Sequence, residues 1–197
     1  MMRLTDIHIL LKQSLTGLYP DREIGSLARL VSEYVSNLNW LQIRINPDVE
    51  LQAGQEKELR RIVERLKNLE PIQYIIGETE FYGIKLMVRP GVLIPRGETE
   101  ELIEWSLKDQ GWEGPGPFSV LDIGCGSGAI TIALAKHLPD AEVYAVDVSP
   151  DALAVTLENA RLNDVKIRVL LWDFINPVSI PVDPLNNQPV GLPPLSL

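Results

Sequence analysis

The chain has 197 residues, 45% of them hydrophobic, enough for one ordinary domain and a small one with packed cores. Its net charge of −9, from 27 acidic and 18 basic residues, argues against holding nucleic acid by bulk electrostatics and favours a small substrate or a protein partner. One cysteine excludes an internal disulfide, two distant histidines form no metal site, and no apolar run approaches the roughly 20 residues that span a bilayer. The start, Met-Met-Arg-Leu-Thr-Asp, lacks a basic segment followed by an apolar core, so the expected location is the cytoplasm and no membrane contact is expected.

Residues 3 to about 70 read as helices. Leu4, Ile7, Leu10, Leu11 and Leu15 form one apolar stripe. Ile24, Leu27, Ala28, Leu30, Val31, Tyr34 and Val35 form a second after the cap Asp21, and Leu59, Ile62, Val63 and Leu66 form a third among paired charges. These stripes can pack as a small bundle. The grammar then changes: residues 71–77, Pro-Ile-Gln-Tyr-Ile-Ile-Gly, and 80–88, Glu-Phe-Tyr-Gly-Ile-Lys-Leu-Met-Val, are β-prone and suggest a hairpin hinged on Gly83. A helix is expected from about Glu98 to Asp109, a Gly/Pro linker from Gly111 to Pro117, and the start of a sheet at Ser119.

Residues 120–128 read Val-Leu-Asp-Ile-Gly-Cys-Gly-Ser-Gly. An apolar run ending in an acid and alternate glycines, followed by the helical stripe Ala129, Ile130, Ile132, Ala133, Leu134, Ala135 and Leu138, is a strand-to-helix turn that presents bare backbone to a ligand. The N–H groups opening that helix suit a carboxylate or phosphate. A second strand, Ala141 to Val146, ends in Asp147, where a carboxylate can accept from both hydroxyls of a ribose. Asp147 or Ser149 could equally cap the helix that follows. A third strand, Lys166 to Leu171, leads to Trp172, Asp173 and Phe174.

The order Asp122-x-Gly124-x-Gly126-x-Gly128 departs from the dinucleotide fingerprint G-x-G-x-x-G and resembles the S-adenosylmethionine loop of class I methyltransferases. That resemblance makes Gly124, Cys125, Gly126, Ser127, Gly128 and Asp147 the candidate cofactor contacts, with Asp173 accepting from the adenine amino group and Phe174 stacking on the ring, unless these two are an ordinary loop acid beside a core aromatic. Cys125 has no local base or cation and reads as a small residue in a tight loop, not a nucleophile.

The middle segment narrows the family. Residues 71–77, then Phe81-Tyr82-Gly83, then 88–100, Val-Arg-Pro-Gly-Val-Leu-Ile-Pro-Arg-Gly-Glu-Thr-Glu, closely resemble the signature of the N5-glutamine methyltransferases that modify peptide chain release factors. The resemblance covers about residues 1 to 174. It implies an α/β fold: a small N-terminal helical bundle, a β-hairpin connector, then an incomplete class I methyltransferase Rossmann-like sheet. The expected divisions are 1–70, a helical domain for substrate recognition; 71–110, hairpin and connecting helix; 111–118, linker; 119–174, a cofactor-binding half domain; and 175–197, a Pro-rich divergent tail.

The implied activity is methyl transfer from S-adenosylmethionine to the side-chain amide of the glutamine in the Gly-Gly-Gln motif of class I release factors. Arg96, Glu98 and Glu100 match the family's loop near the active site, although the usual proline is Gly97 here; a capping acid and a surface pair explain them as readily. The family's acceptor of the amide N–H bonds, Asn-Pro-Pro-Tyr, is absent from this sequence, so no catalytic residue is assigned. Residues 175–197 carry six prolines and no continuous apolar strand, and Asn176-Pro177 lacks the second proline and the tyrosine.

The expectation is thus a truncated or frame-altered member, inactive for lack of the acceptor motif, that could retain a partial cofactor surface. Marginal folding and self-association through an uncovered sheet edge are also expected. The alternatives are a non-catalytic fragment that at most binds cofactor or a partner and, less favoured by the charge, a methyltransferase of nucleic-acid amino groups.

Overall fold

A computed structural model describes residues 2–108, 118–176 and 179–191, and divides the chain into two compact units, Met1–Ile76 and Gly77–Leu197. The expected linker, residues 111–117, lies outside the described residues, as does Asp109.

The first unit is helical: α1 (Leu4–Leu15), α2 (Asp21–Ser36), α3 (Trp40–Ile45), α4 (Ala53–Lys67) and α5 (Ile72–Ile76). The three sequence stripes make its core. Leu4, Ile7, Leu11 and Leu15 of α1, Ile24, Leu27, Ala28, Val31 and Val35 of α2, and Leu59, Ile62, Val63 and Leu66 of α4 are all buried together. Leu30 departs from its stripe and is exposed. Asp21 is not the cap of α2 either: Pro20 holds the extended N-cap position at φ −61°, and Asp21 opens the first turn, where its charge complements the helix N-terminus. Helix α3 is short but well started, with the Asn39 side chain accepting from Gln42 N–H and Gln42 returning the bond to Asn39 N–H.

Within residues 71–77, β-prone by composition, Ile72–Ile76 form helix instead. Tyr74 and Ile75 N–H groups bond to the Pro71 carbonyl, and at the other end the Arg61 and Arg65 guanidinium groups of α4 donate to the Ile75 carbonyl at 3.4 and 3.3 Å. Satisfied carbonyls at a helix C-terminus outweigh the modest strand preference of the isoleucines.

The second unit opens with the hairpin β1 (Glu78–Phe81) and β2 (Ile84–Met87), paired antiparallel through the turn Tyr82-Gly83. Both turn residues have positive φ, 51° and 68°, as a two-residue hairpin turn matched to strand twist requires. After α6 (Glu98–Lys108) come β3 (Ser119–Ile123), α7 (Ala129–His137), β4 (Glu142–Asp147), α8 (Pro150–Leu162) and β5 (Arg168–Leu171). The three strands form a parallel sheet in the order β3-β4-β5, with Val120 beside Val143 and Val146 beside Leu170.

The hairpin is more than a connector. Phe81, Ile84 and Leu86 share one core with Ile103 of α6, Val120, Val143, and Ile132 to Leu134 of α7. Among the described residues β3 pairs with β4 alone. The outer edge of β5 is met by the tail, where Leu171 and Val182 exchange hydrogen bonds of 2.9 and 3.1 Å, an isolated bridge and not a strand.

Candidate functional site

The carboxyl ends of β3, β4 and β5 carry the predicted cofactor residues, at the end of the sheet where open parallel sheets place their ligands. The glycine loop folds back over β4: the N–H groups of Gly124 and Cys125 both donate to the Val146 carbonyl, at 2.8 and 3.0 Å. Gly128 N–H donates to the Cys125 carbonyl at 2.7 Å and closes the turn into α7.

The glycines differ in what they face. A Cβ built on Gly124 or Gly126 would meet nothing within 4 Å, so that backbone borders open space. A Cβ on Gly128, at φ +80°, would lie 2.8 Å from Thr156 Cγ2. Gly124 and Gly126 therefore face open space, and Gly128 leaves room for α8.

Asp147 at the tip of β4 is tied to the loop. Its Oδ2 accepts Gly126 N–H at 3.0 Å and its Oδ1 accepts Ser149 N–H at 2.9 Å. The capping of α8 falls to Ser149, whose hydroxyl oxygen accepts Ala152 N–H at 3.3 Å. Each Asp147 oxygen has spent one lone pair on these bonds and keeps capacity for another.

Asp122 at the end of β3 turns to α7. Its Oδ2 accepts the Thr131 hydroxyl at 2.5 Å and the Thr131 N–H at 3.1 Å. One of the open N–H groups at the start of α7 is thus satisfied internally. Burial pushes the Asp122 carboxyl up, opposed by the two Thr131 bonds and reinforced by the Asp147 charge.

Cys125 is buried inside the loop, its thiol 3.4 Å from the Thr156 hydroxyl. Burial first, and the nearby carboxylates after it, push the thiol up to about 12, so it stays protonated near neutrality. The Ser127 side chain is buried as well.

The third strand tip adjoins the second, since Trp172 N–H donates to the Asp147 carbonyl at 3.1 Å. Asp173 accepts the N–H of Ile175 at 3.2 Å, and Phe174 stands 50% exposed, edge-on to the Trp172 ring with centroids 4.9 Å apart. Glu100 is committed to the hairpin, where its Oε1 accepts Tyr82 N–H at 2.8 Å, and Arg96 and Glu98 are exposed at the start of α6. A cleft of about 830 Å³ lined by Lys136, Asp164, Lys166 and Arg168 sits at the opposite, amino-terminal ends of β4 and β5.

Sequence reasoning missed three residues. Thr131 holds Asp122, while Thr156 and Asn159 on α8 are fully buried against the loop. Thr156 Oγ1 donates to the Gly126 carbonyl at 3.1 Å, and Asn159 Nδ2 to the Ser127 carbonyl at 2.9 Å. The available signal was polar residues on the apolar face of a helix, which burial tolerates only with partners.

Known proteins resemble the chain in both of its units. Residues 12–77 match the PrmC N-terminal domain family and residues 120–183 the Methyltransferase domain family. A release factor glutamine methyltransferase of Flavobacterium psychrophilum is 42% identical over 156 residues, covering 79% of this chain and 55% of that protein. The Bacteroides thetaiotaomicron protein of that name is 43% identical over 157 residues, 80% of this chain and 55% of that one. The human MTRF1L release factor glutamine methyltransferase is 41% identical over 116 residues, 56% of this chain and 34% of that protein. Among solved structures, coclaurine N-methyltransferase bound to N-methylheliamine and SAH is similar over 87% of this chain and 50% of that one, at 22% identity and a TM-score of 0.36, a likeness too loose to argue from. The chain spans about half the length of the curated relatives it matches. With the helical unit and the glycine-loop unit each matched by a family domain, and relatives of one name matching across both, the chain belongs to the release factor glutamine methyltransferase family.

Proposed function

We propose that Gly77–Leu197 holds S-adenosylmethionine at the carboxyl edge of its sheet, and that the chain serves methylation of the glutamine side-chain amide in the Gly-Gly-Gln motif of class I release factors. The observation that carries the cofactor reading is the open backbone at Gly124 and Gly126 beside an Asp147 whose oxygens retain accepting capacity. When bound, the cofactor would supply an electrophilic methyl group carried on a sulfonium. Asp147 accepts from the ribose hydroxyls through its spare lone pairs. Phe174 offers its ring to the adenine and Asp173 its carboxylate to the adenine amino group.

The 197 residues contain no Asn-Pro-Pro-Tyr, so cofactor binding is the part of the reaction these residues can perform, and a binding role without transfer is the second reading. The helical unit is proposed to recognise the release factor, on the strength of the PrmC N-terminal domain match. Among the described residues no helix is long and apolar enough to cross a membrane; a cytoplasmic location is proposed from the substrate.

Calorimetric titration of the chain with S-adenosylhomocysteine tests the cofactor reading. Saturable binding is expected, and Phe174→Ala should weaken it by about 5- to 150-fold, the range for losing one base stack of roughly 1–3 kcal/mol. Absence of binding to a folded sample overturns the reading.

A further inference from the structure

The backbone of β2 has an outward-facing edge that no strand covers among the described residues. In a hairpin closed by two residues, the pair next to the turn exchanges hydrogen bonds and the next pair does not, so Lys85 and Met87 direct their N–H and C=O groups away from β1. Helix α8 meets that edge with two amides one turn apart. Asn159 Oδ1 accepts Met87 N–H at 2.6 Å and its Nδ2 donates to the Met87 carbonyl at 2.9 Å, while Asn163 Nδ2 donates to the Lys85 carbonyl at 2.9 Å. The Asn159 side chain thereby imitates one residue of a neighbouring strand.

Asn159, unlike Asn163, also reaches the loop. Its second amide N–H reaches the Ser127 carbonyl in the glycine loop at 2.9 Å, and the residue is 0% exposed with every polar atom of its amide engaged. Three residues earlier on the same helix face, Thr156 donates to the Gly126 carbonyl. Two successive loop carbonyls are thus held from α8, and one of the two anchors is itself fixed by the hairpin.

We propose that Asn159 is a positioning residue for the cofactor loop: its amide fastens the Ser127 carbonyl to the Met87 backbone, so that the hairpin sets the loop conformation on which Gly126 N–H and Asp147 meet. The proposal rests on the cofactor reading for its functional consequence, but the loop geometry is measurable without ligand. Asparagine suits the position because it accepts from one side and donates to two others. An aspartate of the same shape keeps the first bond, loses both donations and sets a charge against two carbonyl oxygens.

The test is hydrogen exchange at the Gly126 and Gly128 amides, together with S-adenosylhomocysteine affinity, in the full 197-residue chain and in Asn159→Asp, Thr156→Val and Asn163→Asp. Asn159→Asp and Thr156→Val should each speed exchange at both amides by about tenfold and weaken the ligand by a similar factor, about one decade for the single tie to a loop carbonyl that each variant loses. Asn163→Asp, which loses the donations to the Lys85 and Asn159 carbonyls but no tie to the loop, should lower the melting temperature with exchange and affinity unchanged. If Asn159→Asp does not fold, Asn159→Ser, smaller and still able to donate once, should give an intermediate exchange rate. Unchanged exchange in the Asn159 variants, or equal acceleration in Asn163→Asp, overturns the proposal. A wild-type chain that binds no ligand overturns the cofactor reading alone, because the exchange comparison still decides whether Asn159 holds the loop.

Discussion

Replacing Gly128 by alanine is the sharpest test of how the glycine loop is built. The residue sits at φ +80°, where an L side chain costs roughly 1–2 kcal/mol. The new Cβ would lie 2.8 Å from Thr156 Cγ2, 3.0 Å from Thr156 Oγ1 and 3.2 Å from Ile132 Cδ1, all belonging to side chains on packed helices. Overpacking of that kind costs about 1–3 kcal/mol. The sum, about 2–5 kcal/mol, is a large part of the 5–15 kcal/mol that stabilises an ordinary domain. At about 2–4 °C per kcal/mol the melting temperature of the methyltransferase unit should fall by about 4–20 °C. Gly126→Ala is the matched comparison: φ is +56° but nothing lies within 4 Å of its Cβ, so it should incur the backbone term alone, roughly 1–2 kcal/mol. Adding Thr156→Ser to Gly128→Ala removes the methyl at 2.8 Å, keeps the hydroxyl, and should recover part of the loss. Thermal or urea denaturation reads all three. If Gly128→Ala costs no more than Gly126→Ala, the close packing of the loop on α8 is refuted.

Cys125, with its thiol held up at about 12, should react with Ellman's reagent about three orders of magnitude more slowly at pH 8 in the folded chain than in urea; a rapid stoichiometric reaction of the native protein refutes the buried thiol. Asp122 has its folded value raised above 3.8, so the stability it contributes is complete below that pH and is lost as pH rises through the raised value. Asp122→Asn should flatten that part of the stability–pH curve, and an unchanged slope contradicts the burial argument. Glu58 and Glu70 are held below 4.5 chiefly by hydrogen bonds from Arg61 and Arg65, so the helical unit should lose stability as pH falls through their lowered values, less steeply in a Glu58→Gln, Glu70→Gln variant; equal acid limbs in the two proteins contradict it. With the outer side of β3 unpaired among the described residues and Ile123 47% exposed at its end, self-association should grow with concentration; a sedimentation coefficient constant across concentration argues against it.

The features legible in the sequence were those fixed by local chemistry. The alternate glycines announced a loop because three positive-φ positions close together admit few other residues, and Asp147 announced itself by closing an apolar strand beside that loop. The helical stripes at Leu4 to Leu15 and Leu59 to Leu66 survived intact because a 3.6-residue period repeated over several turns has one economical solution, burial of a single face. What was hidden depended on partners far away in the chain. Nothing in residues 71–76 reveals that guanidinium groups from α4 will satisfy their carbonyls and turn isoleucines into a helix.

The same limit explains why Glu100 and Asp147 looked alike in the sequence and differ in the structure. Both are acids beside a motif, and both accept a backbone N–H from another element. Glu100 joins the start of α6 to the hairpin tip, a bond that a packed fold can use with no ligand at all. Asp147 spends its bonds on Gly126 and Ser149, so it shapes the loop and helix start that border the open space at Gly126. A carboxylate that shapes this open backbone and keeps accepting capacity is the group that the proposed cofactor reading sets against ribose hydroxyls. It also follows that removing this carboxylate damages the loop as well as the contact. Loss of binding in Asp147→Ala cannot separate the two effects, whereas loss in Phe174→Ala, at an exposed ring outside the loop, reports on the ligand more directly.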